Sequence, residues 1–216
     1  MSEASSIEWN DNLERYIAGI AEQCYGYSLL HKHSEARFAF LRNILEIPGL
    51  ILSVIAGASS VGSESLFPKS FEFSSVCIGS VVLLTTMMSS INSYFRFASR
   101  CESHRISSLL YNKEYRFLSL QLQLPRKDRI DVGKLIEQTR EEINRLNEIS
   151  NLIPDTIIKE FKQKYNNDKY KDVCKPSEIN GLQIVTVYKE NSDDLQSPGF
   201  KSPQNQSDKD LQISHN

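Results

Sequence analysis

The sequence has few of the residues that build covalent frameworks, metal centres or active sites. Its four cysteines, Cys24, Cys77, Cys101 and Cys174, lack paired or metal-ligand spacing, which indicates reduced thiols facing a cytosol. Cys24 with His31 and His33 comes nearest to a metal set, but no second ligand pair completes it. There is no phosphate-binding glycine loop, HExxH pair or nucleophile elbow. We therefore expect neither an enzyme nor a bound metal or cofactor.

The chain also lacks a strong net charge and an N-terminal leader. A formal net charge of -2 gives no basic surface of the kind that nucleic-acid-binding proteins use, so no nucleic-acid partner is expected. Polar and charged residues fill the chain before its first apolar run, and no cleavage site follows a short basic start. Membrane insertion would then rely on internal segments.

What the sequence does contain is two uncharged apolar segments, residues 47–63 and 73–95, separated by a short loop. Helices of these lengths rise roughly 25 and 35 Å at about 1.5 Å per residue, against a hydrocarbon core of about 30 Å. We predict a transmembrane helical hairpin with spans at about 44–62 and 73–95. The alternative on hydropathy alone is a soluble bundle that buries an apolar hairpin.

Basic residues flank the hairpin on one side. Only Lys69 lies in the connecting loop. Those outside it are Lys32, Arg37 and Arg42 before the first span, and Arg96, Arg100, Arg105 and Lys113 after the second. The positive-inside rule places both termini in the cytosol. The expected partner of the hairpin is the lipid membrane. The same charges also suit contact with anionic headgroups.

The remaining pattern predicts an all-α protein with long cytosolic helices around the hairpin. Residues 5–43 read as one amphipathic helix, with an interruption near Gly26, and Ser5 as part of a capping box. Pro48 is expected in the first helical turn of the first span. A single helix is expected from Phe73 to Pro125, because no breaker interrupts it.

Two shorter helices should follow, at about 131–150 and from Pro154 to about Tyr165. Residues 1–165 would thus form one two-transmembrane domain with a coiled-coil-like cytosolic bundle. Residues 166–216 are rich in Asn, Asp, Ser, Lys and Pro, which predicts a disordered tail. A β-prone run, Leu182–Tyr188, lies within it.

Each predicted span has a small or hydroxyl-bearing side. On the second span this side comprises Ser75, Gly79, Thr86, Ser89, Ser90 and Ser93. On the first span it comprises Gly49, Ser53, Ala56, Gly57 and Ser60. Such sides serve close helix packing, or they line water in a homo-oligomer, since two helices cannot enclose a pore.

Neither window contains a charged residue, which argues against a proton relay or coupled transporter. A pore would consequently be poorly selective. Its candidate inner-mouth groups are Arg96, Arg100, His104 and Arg105.

Taken in order, several motifs resemble the SLATT family, the SMODS- and SLOG-associating two-transmembrane effector domains. The resemblance covers about residues 5–165. It rests on Tyr27 with Leu30-His31, Ile47-Pro48, His104-Arg105, Leu124-Pro125 with Arg129, and Ile153-Pro154 with Phe161.

The resemblance implies a two-helix membrane effector that forms pores in conflict or suicide systems, triggered by nucleotide messengers or partner sensor domains. The chain has little room for an attached sensor, so we expect a stand-alone type with a cytosolic sensor or partner protein. The alternative function is a membrane-anchored helical scaffold that recruits cytosolic partners without conducting.

Overall fold

The computed structural model describes residues 8–61, 74–166 and 170–180, and every regular element in these ranges is helical. The elements are α1 (Asp11–Val61), α2 (Ser74–Phe95), α3 (Phe97–Gln123), a 3₁₀ turn (Arg126–Asp128), α4 (Val132–Ile149), α5 (Asp155–Tyr165) and α6 (Ser177–Asn180). The all-α prediction is confirmed. The loop between the predicted spans, Ser5 and Leu182–Tyr188 lie outside the described residues.

The scaffold of the helical bundle outside the two apolar segments is an antiparallel pair formed by α1 and α3. Along α1 the residues turned toward α3 recur at three-and-four spacing, and they are Ile17, Ala21, Cys24, Ser28, His31, Glu35 and Phe38. On α3 the matching series is Phe97, Cys101, His104, Ser108, Tyr111, Tyr115, Leu118 and Leu122. This spacing is that of a heptad repeat, so the two helices pack along one continuous stripe.

Helix α1 runs unbroken through Gly26 and Pro48, so both sequence predictions about this helix are wrong. Pro48 costs the backbone hydrogen bond that would otherwise reach the Ile44 carbonyl. The helix continues because its neighbouring turns keep their own hydrogen bonds. At the N-terminus Asn10 Oδ1 accepts a hydrogen bond from Leu13 N at 2.8 Å, as a helix N-cap does.

The predicted single helix from 73 to 125 is also wrong, because Arg96 interrupts it with a left-handed backbone (φ 50°, ψ 45°). The half-buried stripe of α2 reaches Asn92, and the stripe of α3 starts at Phe97. These residues are five positions apart, whereas a heptad allows three or four. The left-handed turn at Arg96 absorbs the extra residue and lets both helices face α1.

Helices α4 and α5 cover the α1–α3 pair, within a few residues of their predicted bounds. The Asp131 side chain caps α4 by accepting from Lys134 N at 3.1 Å. Three apolar clusters join the helices: Ile17, Ala21, Leu118 and Leu135; Cys24, Tyr111 and Leu146; and Leu30, Ile157 and Phe161. The bundle is thus held by contacts between residues distant in the chain.

The turn after α3 is fastened to the start of α1 by Arg129. Its guanidinium donates to the carbonyls of Leu122 and Leu124 at 3.0 and 2.8 Å, and to Glu14 Oε1 at 2.6 Å. Its charged group lies 4.7 Å from the Trp9 ring centroid. Hydrogen bonds from Arg126 and Arg129 lower the pKa of Glu14 to about 2. Arg129 therefore caps one helix and ties it to another.

The prediction of disorder from residue 166 onward does not hold for residues 170–180, which pack against α1. Cys174 N donates to Glu22 Oε2 at 2.7 Å, and Pro176 is fully buried. The helical domain therefore extends beyond the predicted boundary at residue 165. Residues 181–216 lie outside the described part of the chain.

Candidate functional site

Two helices are long and apolar enough to span a membrane, and the other residues that the structure describes do not cover their apolar windows. In the most apolar 18-residue window of each, 6% and 0% of the residues are buried. Side chains such as Leu50, Val54, Leu83 and Met87 are more than 60% exposed. An apolar surface of this extent marks contact with lipid or another protein. The core helix of a soluble protein would be mostly buried instead.

A groove of about 1110 Å³ runs between the two apolar helices. The small side predicted for the first span lines it in full: Gly49, Ser53, Ala56, Gly57 and Ser60. Of the hydroxyl-bearing side predicted for the second span, three residues also line the groove: Thr86, Ser89 and Ser93. Gly79 and Ser90 are exposed on the adjacent flank of α2, and the Ser75 side chain lies outside the described set. The two predicted sides thus meet at one groove.

The glycines along this groove do not bring the two helices into close contact. A Cβ atom added at Gly49 or Gly57 would meet nothing within 4 Å, and the same holds for Gly79 on α2. Small residues at a helix interface normally let a neighbouring backbone approach. Among the described residues, no neighbouring backbone approaches Gly49 or Gly57.

Three hydroxyl groups on α2 satisfy their hydrogens within their own helix. Thr86 Oγ1 and Thr85 Oγ1 each donate to the Val82 carbonyl at 2.8 Å, and Ser80 Oγ donates to the Val76 carbonyl at 2.8 Å. Their oxygens retain lone pairs that can accept hydrogen bonds. Thr86, which lines the groove, is therefore able to accept a hydrogen bond from water without leaving its own donor unpaired in lipid.

The end of the groove nearest Arg96 holds a polar group that the sequence reasoning missed. Asn92 Nδ2 donates to Glu46 Oε1 at 2.9 Å, and Glu46 lies 3.6 Å from the Arg42 guanidinium. Asn92 Oδ1 is buried without a hydrogen-bond partner among the described residues. The signal was available in the sequence, since Asn92 is a lone amide in the last turns of an apolar segment.

Three of the four predicted inner-mouth residues lie on the protein surface. Arg96 lines the same end of the groove as Asn92 and Glu46. Arg100 is exposed, with its guanidinium 5.8 Å from the Phe38 ring centroid. Arg105 forms an ion pair with Glu102 at 2.6 Å. Arg96 is thus the basic side chain best placed to influence an ion that enters the groove.

His104 is not at the mouth, and that part of the prediction is wrong. It is 1% exposed, and its Nδ1 lies 2.8 Å from Nδ1 of His31, which is also 1% exposed. The Phe38 ring stacks on His104, and the Tyr111 ring stacks on His31. Burial lowers the pKa of both imidazoles, that of His31 to about 4. Both rings are therefore neutral at pH 7, and one donates its Nδ1–H to the other.

No family model, curated protein or solved structure matches the chain. The groove and its surroundings are the features from which a function can be argued.

Proposed function

We propose that this chain is an integral membrane protein that assembles into a homo-oligomer, in which the Thr86-bearing side of α2 lines a poorly selective pore. The observation that carries the proposal is the groove: the small side of one apolar helix and hydroxyls of the other converge on it, and none of the described residues fills it.

Insertion into lipid is supported by the uncovered apolar windows. Their exposed Leu, Val and Met side chains would otherwise face water along most of two helices. Tyr94 is 82% exposed beside Phe95, immediately before the basic Arg96. Aromatic residues followed by basic ones are typical of a membrane–water interface. The Arg96 end is then cytosolic, and so are both chain termini.

Assembly is supported by the open glycine positions. Gly49 and Gly57 leave room for a backbone that none of the described residues provides. A symmetric oligomer would bring a neighbouring copy's helix to this side, and several copies are needed because two helices enclose no channel. The neighbour would pack on the glycines while the α2 hydroxyls turn to water.

Weak selectivity follows from the absence of charge within either window. Hydroxyl oxygens replace part of an ion's hydration shell but discriminate poorly between charges. Arg96 at the cytosolic end gives a modest preference for anions. The family resemblance adds the setting, a conflict or cell-death response triggered through a cytosolic sensor or partner protein.

The test uses Gly57→Leu, which fills the open side without a clash inside the chain. Purified protein is inserted into liposomes loaded with a small dye, and its release and the oligomer size are measured. We expect Gly57→Leu to insert as wild type does but to lose dye release and oligomers. Val54→Leu, on the exposed apolar side of α1, is the control and should behave as wild type. Full release by Gly57→Leu would refute the proposed interface.

A scaffold that recruits cytosolic partners is the second candidate, favoured by an exposed apolar corner between α4 and α5. There Leu152 is 96% exposed and Ile149 is 47% exposed. In this case the hairpin only tethers the bundle. Replacing the hairpin with an unrelated one should then preserve activity, and Leu152→Asp should abolish it. The pore proposal predicts the reverse for the hairpin replacement.

A further inference from the structure

Residues 170–180, which we call the strap, lie along the cytosolic half of α1 and run in the same direction. The contacts, in chain order, are Cys174 with Gly19 and Glu22, Pro176 with Gly26, Ser177 with Tyr27, and Ile179 with the cluster of Leu30, Ile157 and Phe161. Residue numbers rise together in the strap and in α1, so the strap follows the surface of α1 over several turns.

Two glycines of α1 make room for the strap. A Cβ at Gly26 would lie 2.6 Å from Cγ and Cδ of Pro176, a distance that real side chains do not tolerate. A Cβ at Gly19 would lie 3.1 Å from Cys174 Sγ. Glycine in the middle of a helix costs stability relative to alanine. At these two positions it allows the strap to lie directly on the helix backbone.

Polar contacts fix the strap along the helix. Cys174 N donates to Glu22 Oε2 at 2.7 Å, and the Tyr27 hydroxyl lies 2.7 Å from Ser177 Oγ. Apart from the single turn of α6 and the 3₁₀ residue Tyr170, the strap has no regular secondary structure of its own. A short segment with little regular secondary structure separates at lower free energy than the paired helices beneath it. The strap can therefore leave α1 while the bundle stays folded.

The strap also joins α1 to α5. Ile179 packs into the cluster formed by Leu30 of α1 with Ile157 and Phe161 of α5. At its other end the Tyr170 ring lies 5.2 Å from the Tyr165 ring at the end of α5. Helix α1 is continuous from Leu30, where Ile179 packs, into the first apolar segment. Its cytosolic and membrane halves are therefore rigidly linked.

We propose that the strap is a detachable clamp, and that its release from Gly19 and Gly26 switches the membrane half from a silent to an active arrangement. For its functional consequence this inference rests on the proposed pore. The clamp acts by holding α5 against α1, and release leaves the glycine surface of α1 free.

A disulfide lock tests the clamp. In Gly19→Cys the new Cβ would lie 3.8 Å from Cys174 Cβ, the mean separation in natural disulfides. Diamide oxidises the two thiols to a disulfide by taking up their two hydrogens. We expect dye release from liposomes to fall about tenfold on oxidation and to recover with a reductant. The control is Gly19→Cys with Cys174→Ser, which cannot lock and should not respond.

Gly26→Leu tests the opposite state, because its side chain occupies the place of Pro176. Dye release should rise about tenfold, and trypsin should cut at Lys171 in the strap faster than in wild type. The matched control is Ala36→Leu, at an exposed position of the same helix. Wild-type release and cleavage for Gly26→Leu would contradict the clamp.

The outcomes separate the clamp from the pore. Equal, non-zero release from the oxidised and reduced Gly19→Cys protein would overturn the clamp and leave the pore standing. No release from any variant, with insertion verified, would reject the pore. The clamp is then judged by the size of chemically cross-linked oligomers, which must differ between locked and reduced protein. No difference there would overturn it.

Discussion

Acid should destabilise the helical bundle through the buried pair of His31 and His104. The Nδ1 atoms lie 2.8 Å apart, so a proton added to Nδ1 of the accepting ring removes the acceptor of the hydrogen bond, and a proton added to the donating ring leaves a buried cation. The stacked rings of Phe38 and Tyr111 provide no group that compensates the charge, and Arg100 opposes it at His104. The folded state therefore keeps both rings neutral where the unfolded chain protonates them.

The size and direction of the effect follow from the pKa of His31. Burial lowers it from the ordinary 6.5 to about 4. Between these values the unfolded chain binds more protons than the folded one, so stability is complete above pH 6.5 and falls as the pH decreases toward 4. At about 1.4 kcal/mol per pH unit the total loss is about 3 kcal/mol, and about 2 kcal/mol is gone by pH 5.

Denaturant titration in detergent micelles measures this loss. Trp9, the one tryptophan of the chain, reports unfolding of the bundle through its fluorescence. The double variant His31→Leu with His104→Leu removes both partners at similar volume, and we expect its stability between pH 7.5 and 5 to change less than that of wild type. His33→Asn, at an exposed position, is the control. A flat wild-type profile, or an undiminished loss in the double variant, would refute the reasoning.

Three further substitutions test the packing of the bundle by the same titration at pH 7.5. Leu118→Ala, at a site with 0% exposure, should cost about 3 kcal/mol, and a cost under 1 kcal/mol would contradict its place in the core. Arg129→Lys should cost about 2 kcal/mol, because lysine cannot serve Glu14 and both helix-end carbonyls together; wild-type stability would argue against this role. Asp131→Ala should cost about 1 kcal/mol through loss of the N-cap, which an unchanged midpoint would disprove.

The sequence predicted the helical elements well where a local signal marked their ends. Pro154 and the turn after Leu124 have such signals, and the helices that follow them lie close to the predicted bounds. The break at Arg96 has no local signal of this kind. The break corrects a mismatch in heptad register between α2 and α3 where both pack against α1. It can be predicted only when the heptad positions of the two helices are counted together.

The errors within α1 come from residues whose role depends on distant parts of the chain. Gly26 resembles a helix interruption in isolation, yet it serves the close approach of Pro176, which lies far along the sequence. His104 follows the spans like the basic residues around it, but its heptad position turns it toward His31. The sequence groups small and hydroxyl-bearing residues on one side of each apolar segment, and the structure brings the first of these sides, with Thr86, Ser89 and Ser93 of the second, to one groove.

The most direct test of the central claim is the accessibility of cysteines introduced on opposite sides of α2. Currents are recorded across a planar bilayer from Thr86→Cys and Leu84→Cys, each in a background with Cys77→Ser, while a charged thiol reagent is added. The account predicts that the reagent changes the current through Thr86→Cys and leaves that through Leu84→Cys, which is exposed but outside the groove, unaltered. Equal responses at the two positions, or no current from well-inserted protein, would contradict it.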